Sequence, residues 1–404
     1  MKKTFAVAAL ATALMCGTSH AQQINVKVGV LTDMNSLYAD DTGPGSVAAA
    51  KMAAADFMKE HPNVKVEVIT GDHQNKPDLG VNIANQWFDV EKVDMIVDVP
   101  NSGVALAISQ VAVQKNKVFV GSGPASSDLT GAKCNANNVQ WTYDTWMLAN
   151  GTGKAIVKQG GDTWFFLTAD YAFGYALERD TAAVVEANGG KVLGKVRHPI
   201  NNNDFSSFLL QAQTSKAKVI GLANAGGDTI NAIKQAAEFG IVKGGQKLAG
   251  LLVFAGDIAA LGLPTAQGMT FTETFYWDMN DQTRAWTKRW HEVRGAMDKW
   301  PTMNHAGVYA GTLHYLKARL ALGAGEVDGK TVVAKMKELP TDDILFGKGT
   351  IRADGRKIHP AYLFEVKKPE ESKYPGDFYH LRATIPAAEA FRPLKDGNCP
   401  LVSG

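Results

Sequence analysis

Hydrophobic and polar residues alternate over short stretches of the chain, and longer stretches with helical spacing lie between them. Residues 25–31 and 64–69 alternate strictly, which is typical of strands with one buried face. Residues 95–97 and 118–120 are short apolar runs that favour buried strands. The stretches with helical spacing are 45–60, 78–90 and 103–114. Strands and helices in strict succession predict a parallel sheet with helices on both faces.

The same pattern starts again after residue 145. The predicted strands of this second unit are 163–167, 191–196, 218–222 and 248–254. Its predicted helices are 147–159, 174–188, 205–214 and 228–239. Two amphipathic helices are expected between 284 and 322, and 349–365 favours a hairpin that turns at Asp354 and Gly355. The fold class is therefore α/β, with two doubly wound parallel-sheet lobes and a cleft between them.

The first 21 residues have the features of a secretory signal. Lys2 and Lys3 precede an apolar stretch over 5–15, and Ala21 closes a short segment with small residues at the positions that a signal peptidase reads. We expect cleavage after Ala21 and export to the periplasm. We expect Cys16 to be lost with this segment, because lipidation, which is the alternative, favours a small residue before the cysteine and Met15 is not small.

Composition and charge give no support for a nucleic-acid or membrane partner. The 404 residues are 45% hydrophobic and carry 42 Lys and Arg against 40 Asp and Glu. Lys2 and Lys3 account for the excess, so the mature chain is expected to be neutral. A neutral chain lacks the electrostatic attraction that polyanions and anionic membranes require.

Cleavage after Ala21 would leave two cysteines, Cys134 and Cys399. An even number of cysteines in an oxidising compartment indicates a disulfide, which would join the end of the chain to its first third. Two free thiols are the alternative.

Motifs for catalysis and metal binding are not found. The chain has no G-x-S-x-G, P-loop or H-E-x-x-H pattern, and Trp290-His291-Glu292 lacks the second histidine. Gly43-Pro44-Gly45 follows the first strand as a dinucleotide loop would, but the third glycine is missing and the proline removes an N–H. No metal, cofactor or enzymatic activity is expected.

Polar and aromatic residues follow the predicted strands, at the edge where open α/β sheets bind ligands. In the first unit these candidates are Tyr38, Asn101, Ser102, Ala125 and Ser126. In the second unit they are Tyr171, Phe173, Asn224 and Asp257. Hydroxyls and helix N–H groups suit a carboxylate, and the aromatic side chains suit an apolar body. Each group also has a purely structural alternative, since Ser102 and Ser126 would serve as helix caps and the aromatic residues would pack beneath loops.

Several of these segments together resemble the type I periplasmic solute-binding proteins of ABC importers, specifically the Leu/Ile/Val-binding group. The segments that carry the resemblance are 27–38, 43–50, 101–102, 124–130, 170–174 and 204–207. The resemblance implies two lobes joined by three crossovers that close like a hinge on the ligand. It places one lobe at 22–142 plus 273–360 and the other at 143–272 plus 361–404.

The resemblance also assigns roles to particular residues. Ser102 matches the serine that holds the main-chain groups of an amino-acid ligand, and Tyr38 and Phe173 match aromatic positions. Ser126 stands near an expected threonine, and Asn224 near an expected tyrosine. Asp257 falls near the acid that binds the ligand ammonium.

Further segments are similar to members that bind aromatic carboxylates such as benzoate. These segments are 127–131, 141–145, 275–278 with Tyr276, and 399–402. The expected function is delivery of a small carboxylate-bearing ligand, an aromatic acid in the first place, to an ABC permease in the inner membrane by a monomeric binding protein. A branched-chain or other amino acid, an amide and an exported ligand sensor are the alternatives, and an exported hydrolase is a weaker one.

Overall fold

The computed structural model describes residues 22–402. The predicted signal segment, with Cys16 and Ala21, lies outside the described residues. Two parallel sheets, each covered by helices, confirm the predicted α/β class with two lobes. None of the described helices is both long and apolar enough to cross a membrane.

The first sheet is built from five strands that all run parallel. They are β1 (Ile24–Thr32), β2 (Val64–Asp72), β3 (Met95–Asp98), β4 (Val118–Gly121) and β5 (Asn138–Gln140). Their order is β2-β1-β3-β4-β5. The connecting helices are α1 (Gly43–Glu60), α2 (Pro77–Asp89) and α3 (Ser102–Lys115). Helix α1 packs on one face against alternate β1 side chains, and α2 and α3 cover the other face.

The second lobe starts with a helix that the sequence pattern predicts. It consists of α4 (Thr145–Leu148), a π-helical turn (Ala149–Gly153) and α5 (Lys154–Lys158). The parallel strands that follow are β6 (Thr163–Ala169), β7 (Lys191–His198), β8 (Val219–Ala223) and β9 (Lys247–Gly250), in the order β7-β6-β8-β9. The helices of this lobe are α6 (Ala172–Ala187), α7 (Ser206–Thr214), α8 (Gly227–Glu238), α9 (Ala255–Leu261) and α10 (Leu263–Ala266).

The last third of the chain adds helices to the first lobe and two small antiparallel sheets. After β10 (Thr270–Glu273) come α11 (Asp281–Arg294), α12 (Met303–Ala321) and α13 (Gly329–Glu338). The remaining elements are β11 (Thr341–Asp343), β12 (Gly347–Ile351), β13 (Lys357–Ile358), β14 (Ala361–Val366), β15 (Tyr379–Ile385) and α14 (Ala387–Ala390). Helix α12 packs along α1. Strand β14 lies between β10 and β15.

Two of the predicted elements differ in extent from the observed ones. The hairpin at Asp354 and Gly355 is present between β12 and β13, but β14 leaves it and pairs with β10 and β15 instead. Pro360 separates β13 from β14 and has no N–H to continue the ladder, which accounts for the break. The predicted strand 248–254 ends at Gly250, because residues 251–254 leave the sheet to enter α9. The predicted lobe boundaries at 142, 272 and 360 stay a prediction.

The disulfide between Cys134 and Cys399 is confirmed, with 5.6 Å between the two Cα atoms. This distance is typical of unstrained disulfides. The bond closes a loop across 265 positions of sequence and holds the C-terminal segment on the first lobe.

Candidate ligand-binding site

The carboxyl ends of both parallel sheets meet at the cleft, and a narrow cavity lies there. Its walls contain residues from loops of both lobes and from α12. The lining residues are Tyr38, Asp41, Thr42, Pro100, Gly123, Ala125, Tyr143, Tyr171, Phe173, Ala225, Leu252, Phe254 and Asn304. The arrangement follows the rule that open α/β sheets bind ligands beyond the carboxyl ends of their strands.

The two lobes are in direct contact across this cavity. The Tyr38 hydroxyl, from the loop after β1, lies 2.5 Å from the Tyr171 hydroxyl at the start of α6. The Gly227 N–H donates to the Leu37 carbonyl 3.4 Å away. The lobes are therefore closed, and each contributes one hydroxyl to the roof of the cavity.

Aromatic side chains form most of the cavity wall. Tyr143 and Phe254 meet edge to face with 6.5 Å between ring centres, and Tyr171 and Phe173 are 5.8 Å apart. The cavity has a volume of about 20 Å³, little more than one water molecule needs. A ring-sized ligand consequently requires the lobes to separate and to close again around it.

Asp41 is the only charged side chain among the described residues that line the cavity. It is 3% exposed, and its Oδ1 has no hydrogen-bond partner. Burial raises the pKa of Asp41 well above its usual range, and the nearby carboxylates of Asp257, Asp40 and Glu273 add to the effect. The Asp41 carbonyl accepts from Thr302 Oγ1 at 2.8 Å and Asn304 Nδ2 at 3.2 Å, which fixes this loop against α12.

A strained segment borders the cavity at the end of β3. Asp98 and Val99 have φ values of 84° and 59°, which are rare for residues other than glycine and unusual for a β-branched residue. The Asp98 carboxylate accepts from Thr32 Oγ1 at 2.8 Å, and burial raises the pKa of Asp98 to about 7. The strain carries the chain from the sheet to Pro100 in the cavity wall, in keeping with the general concentration of strained backbone at functional sites.

The structure brings together four of the sequence-predicted ligand residues in the cavity wall: Tyr38, Ala125, Tyr171 and Phe173. Asp257 lies in a neighbouring cavity at the mouth of the cleft. Its Oδ2 accepts from the Phe254 N–H at 3.0 Å, and burial raises the pKa of Asp257 to about 7. Asp257 is thus a helix cap that also faces the mouth of the cleft.

The other predicted ligand residues lie outside the cavity lining and are engaged in contacts within the protein. Asn101 Oδ1 accepts from the N–H groups of Gly103 and Val104 and caps α3. Ser102 Oγ accepts from the Ser126 N–H at 3.2 Å, while Ser126 Oγ caps a short 3₁₀ turn by accepting from Asp128. The side chains of Asn101, Ser102 and Ser126 therefore accept hydrogen bonds from backbone N–H groups of the protein.

Asn224 and Tyr276 also have partners within the protein. Asn224 contacts His198 at 3.1 Å and accepts from Thr229 at 2.7 Å. Tyr276 donates to the Gly376 carbonyl and stacks on Tyr379 at 4.3 Å. Whether any of these residues contacts a ligand stays a prediction.

Sequence analysis did not single out most of the remaining lining residues. Tyr143 lies in the segment 141–145 that carried the resemblance to aromatic-acid-binding members, so a signal was present. Asp41 and Thr42 follow Tyr38 in the loop after β1. The argument from strand ends that selected Tyr38 therefore applies to them as well. Asn304 lies on α12, 161 positions beyond Tyr143, and no local pattern indicates that it would reach the cleft.

The mouth of the cleft forms a second, larger cavity of about 440 Å³. Its acidic lining residues are Asp40, Asp41, Asp228 and Asp257, and no Lys, Arg or His lines it among the described residues. Burial raises the pKa of Asp228 to about 6. No cluster of residues suited to a metal ion is present in the described part of the chain.

Comparisons with known proteins assign the class to which this fold and cleft belong. The family model described as periplasmic binding protein matches residues 25–373, so the chain belongs to the periplasmic binding protein family. Proteins of this family are not enzymes; they bind small-molecule ligands for ABC transporters. The predicted family and the predicted absence of enzymatic activity are thereby confirmed.

Three solved structures are similar over nearly the whole chain. A periplasmic binding protein from Burkholderia mallei is 50% identical, with a TM-score of 0.90, and the match covers 94% of this chain and 99% of that one. A branched chain amino acid ABC transporter periplasmic ligand-binding protein from Burkholderia xenovorans is 38% identical, with a TM-score of 0.81 and coverage of 93% and 99%. An ABC transporter solute-binding protein from R. palustris in complex with benzoate is 19% identical, with a TM-score of 0.79 and coverage of 90% and 97%. At 19% identity, the similarity to the R. palustris protein shows a shared fold only.

Proposed function

We propose that this protein is the exported, monomeric solute-binding component of an ABC importer and that it closes its lobes on a small ligand with an aromatic ring. The mature protein would begin after Ala21 and deliver the ligand to an inner-membrane permease. The observation that carries the proposal is the aromatic-walled cavity between the lobes, roofed by the hydroxyl pair of Tyr38 and Tyr171. Concave sites with apolar walls and few polar groups are typical of small-molecule binding.

The ring of the ligand would lie inside the cavity that the contact between the lobes closes. Tyr143, Phe173 and Phe254 offer faces and edges against which an aromatic body packs favourably. Tyr38 and Tyr171 share one hydrogen bond, which leaves one of their two hydroxyl protons free for a ligand oxygen. An aromatic acid is therefore the first candidate, as the sequence predicts.

An amino acid is the second candidate, and Asp41 favours it. A buried carboxylate without a partner is costly unless a ligand supplies a hydrogen-bond donor or a positive charge. A branched-chain amino acid would supply the charge but would leave the aromatic wall facing an aliphatic side chain.

A thermal-shift screen of the mature protein tests the proposed function. The panel contains benzoate, 4-hydroxybenzoate, phenylalanine and leucine, each at a concentration well above its expected dissociation constant. A ligand at a hundredfold excess stabilises the fold by about 2.7 kcal/mol. We expect a shift with ring-bearing compounds that exceeds the shift with leucine. A response to leucine alone would replace the aromatic ligand by a branched-chain amino acid, and no response would contradict the proposed ligand class.

A further inference from the structure

The C-terminal segment passes from one lobe to the other and is covalently bonded where it arrives. Strand β15 ends at Ile385, in the antiparallel sheet whose buried side chains share one core with β6 and β8 of the second lobe. Further along the chain, Cys399 is bonded to Cys134, which lies between β4 and β5 of the first sheet. We propose that residues 386–399, the strap, form a fourth connection between the lobes, closed by the disulfide, and that the strap limits how far the lobes open.

The two ends of the strap are fixed in different ways. Pairing of β15 with β14 holds one end, and the disulfide holds the other. The resemblance to ABC-importer binding proteins implies three chain crossovers, at which a hinge motion is absorbed while each lobe stays rigid. A disulfide does not release when the lobes separate, so the strap has to follow every opening motion as a crossover does.

The strap also packs against the segments at which the chain crosses between the lobes. Asn150 Nδ2, at the start of the second lobe, donates to the Glu389 carbonyl at 2.8 Å. The guanidinium carbon of Arg356 lies 4.5 Å from the centre of the Phe391 ring, and Arg356 Nη1 donates to the Tyr143 carbonyl at 2.7 Å. Phe391, Arg356 and Tyr143 are all buried. Because Tyr143 lines the inner cavity, these contacts connect the strap to the wall of the candidate site.

Polar contacts support the disulfide on the first lobe. Arg392 Nη2 donates to the Ser127 carbonyl at 2.9 Å, and the Arg392 carbonyl accepts from Arg352 Nη1 at 2.7 Å. Cys134 and Cys399 are 6% and 4% exposed, so solvent has little access to the bond. The bond keeps the polar groups near one another, and a contact that breaks during opening forms again as an intramolecular event. This end of the strap therefore remains attached in the open protein.

The strap has little slack. Between Ile385 and Phe391 it consists mainly of α14, a single turn of four residues. A residue advances about 1.5 Å in a helix and about 3.4 Å in an extended chain, so complete unwinding of this turn gives on the order of 8 Å of extra length. An opening motion that needs more length has to pull Phe391 and Arg392 out of their contacts. The ligand-free protein should consequently open less widely than three crossovers alone would allow.

A restricted open state has a consequence for binding. When fewer open conformations are available, the closed conformation is more populated before a ligand arrives, and the apparent affinity rises in proportion to that population. This effect is the same for any solute that the lobes enclose. The inference therefore goes beyond the proposed function and does not depend on the aromatic ligand.

Hydrogen–deuterium exchange and small-angle scattering of the ligand-free mature protein test the inference. The Gly227 N–H reports closure, since it donates to the Leu37 carbonyl of the opposite lobe. Replacement of Cys134 and Cys399 by serine releases the strap. We expect the Gly227 amide to exchange at least about threefold faster in this variant, because the lobes are open for a larger fraction of the time. The radius of gyration should increase as well.

A second variant lengthens the strap and keeps the disulfide. It carries a four-residue Gly-Ser insertion between Ala388 and Glu389, which are both exposed. We expect faster exchange at Gly227 and a larger radius of gyration here too. Leu209→Ala is the control, because Leu209 is fully buried in the core of the second lobe and its truncation lowers the melting temperature without a change in the strap. The control should keep the exchange rate of Gly227 and the radius of gyration of the wild type.

The outcomes decide whether the strap restrains the lobes. Wild-type values in the insertion variant, which does not depend on the folding of a protein without the disulfide, would overturn the inference. Wild-type values in a folded double-serine variant would also overturn it, because the bond would then not be needed. If Leu209→Ala opens the protein as much as release of the strap does, the effect comes from lost stability and the inference is wrong. The ligand class is decided separately, by the thermal-shift screen.

Discussion

The hydroxyl groups of Tyr38 and Tyr171 meet at 2.5 Å across the cleft, although the two residues belong to different lobes and are separated by 133 positions of sequence. Tyr38 is buried and Tyr171 is partly buried in this contact, and burial raises the pKa of each. The pair is thus a hydrogen-bonded closure of the cavity that forms only when the lobes come together.

Removal of one hydroxyl from this pair should weaken ligand binding. Tyr171→Phe keeps the ring in the cavity wall and deletes one hydrogen bond between the lobes. We expect a loss of about 0.5–1.5 kcal/mol in binding free energy, measured by calorimetry with the best ligand of the screen. Tyr175→Phe is the control, because the Tyr175 hydroxyl bonds to Asp170 at the surface and not to the other lobe. Equal affinity of Tyr171→Phe and the wild type would show that the contact does not contribute to the bound state.

Obstruction of the contact between the lobes should lower affinity without loss of the fold. A Cβ on Gly226 would lie 2.5 Å from the Leu37 carbonyl of the opposite lobe, so Gly226→Ala would hold the lobes apart. We expect weaker binding and a larger radius of gyration in the presence of ligand, measured by small-angle scattering. Gly240→Ala is a matched control, since Gly240 also has a positive φ but no atom within 4 Å of the added Cβ. Both glycines have a positive φ, so alanine strains the backbone in both variants, by on the order of 1–3 kcal/mol, and only the first should close poorly.

The disulfide between Cys134 and Cys399 should contribute strongly to stability because of the long loop that it closes. Replacement of both cysteines by serine is expected to lower the free energy of unfolding by about 2–5 kcal/mol. Denaturant titrations of the variant, and of the wild type with and without reductant, measure this difference. Mass spectrometry that finds both thiols alkylated in non-reduced exported protein would contradict the bond.

Asp41 should destabilise the ligand-free protein at neutral and alkaline pH. Its native pKa is raised, first by burial and then by Asp257, whereas an unfolded aspartate titrates near about 3.9. Between these two pKa values the native state holds a proton that the unfolded state has released, so the free energy of unfolding falls as pH rises. Asp41→Asn removes this loss and should melt at a higher temperature than the wild type at pH 8, by a few degrees.

The decisive observation is how the difference in melting temperature between Asp41→Asn and the wild type changes with pH. At pH 3 and below, both states of the wild type hold most of the proton and the two melting temperatures should converge. Asp89→Asn, which removes an exposed acid at the end of α2, reports the effect of one lost acid outside the cleft. A stabilisation by Asp41→Asn that is equal at pH 3 and pH 8 would indicate better packing by the amide and not the removal of a buried charge.

The order of strands and helices was largely predictable from the chain, because it depends on local periodicity. The alternation in 25–31 and 64–69 is repeated by β1 and β2, and most predicted helices begin and end within a few residues of the observed ones. Strands β10 and β15 were not predicted, and β14 was assigned to the hairpin, since the pairing of β10 with β14 joins segments about 90 residues apart and only Pro360 marks the break locally.

The candidate site was predictable only in part, for a physical reason. Loops that follow parallel strands must lie at one edge of a sheet, so Tyr38, Ala125, Tyr171 and Phe173 could be proposed from their positions alone, and all four line the cavity. Ser102 and Ser126 were chosen by the same rule, yet they bond within the protein, because a hydroxyl beside a helix start serves a cap as readily as a ligand.

The sequence by itself determined the class of fold, the family and the two cysteines that would pair, because these depend on periodicity, short motifs and counting. Only the tertiary structure decided which polar groups remain without partners. Asp41 and Asn304 come from a loop and a helix far apart in the chain, and their free acceptors become visible only when both are packed in one wall. Hydrogen-bond satisfaction is a property of three-dimensional neighbours, which no local sequence pattern reveals.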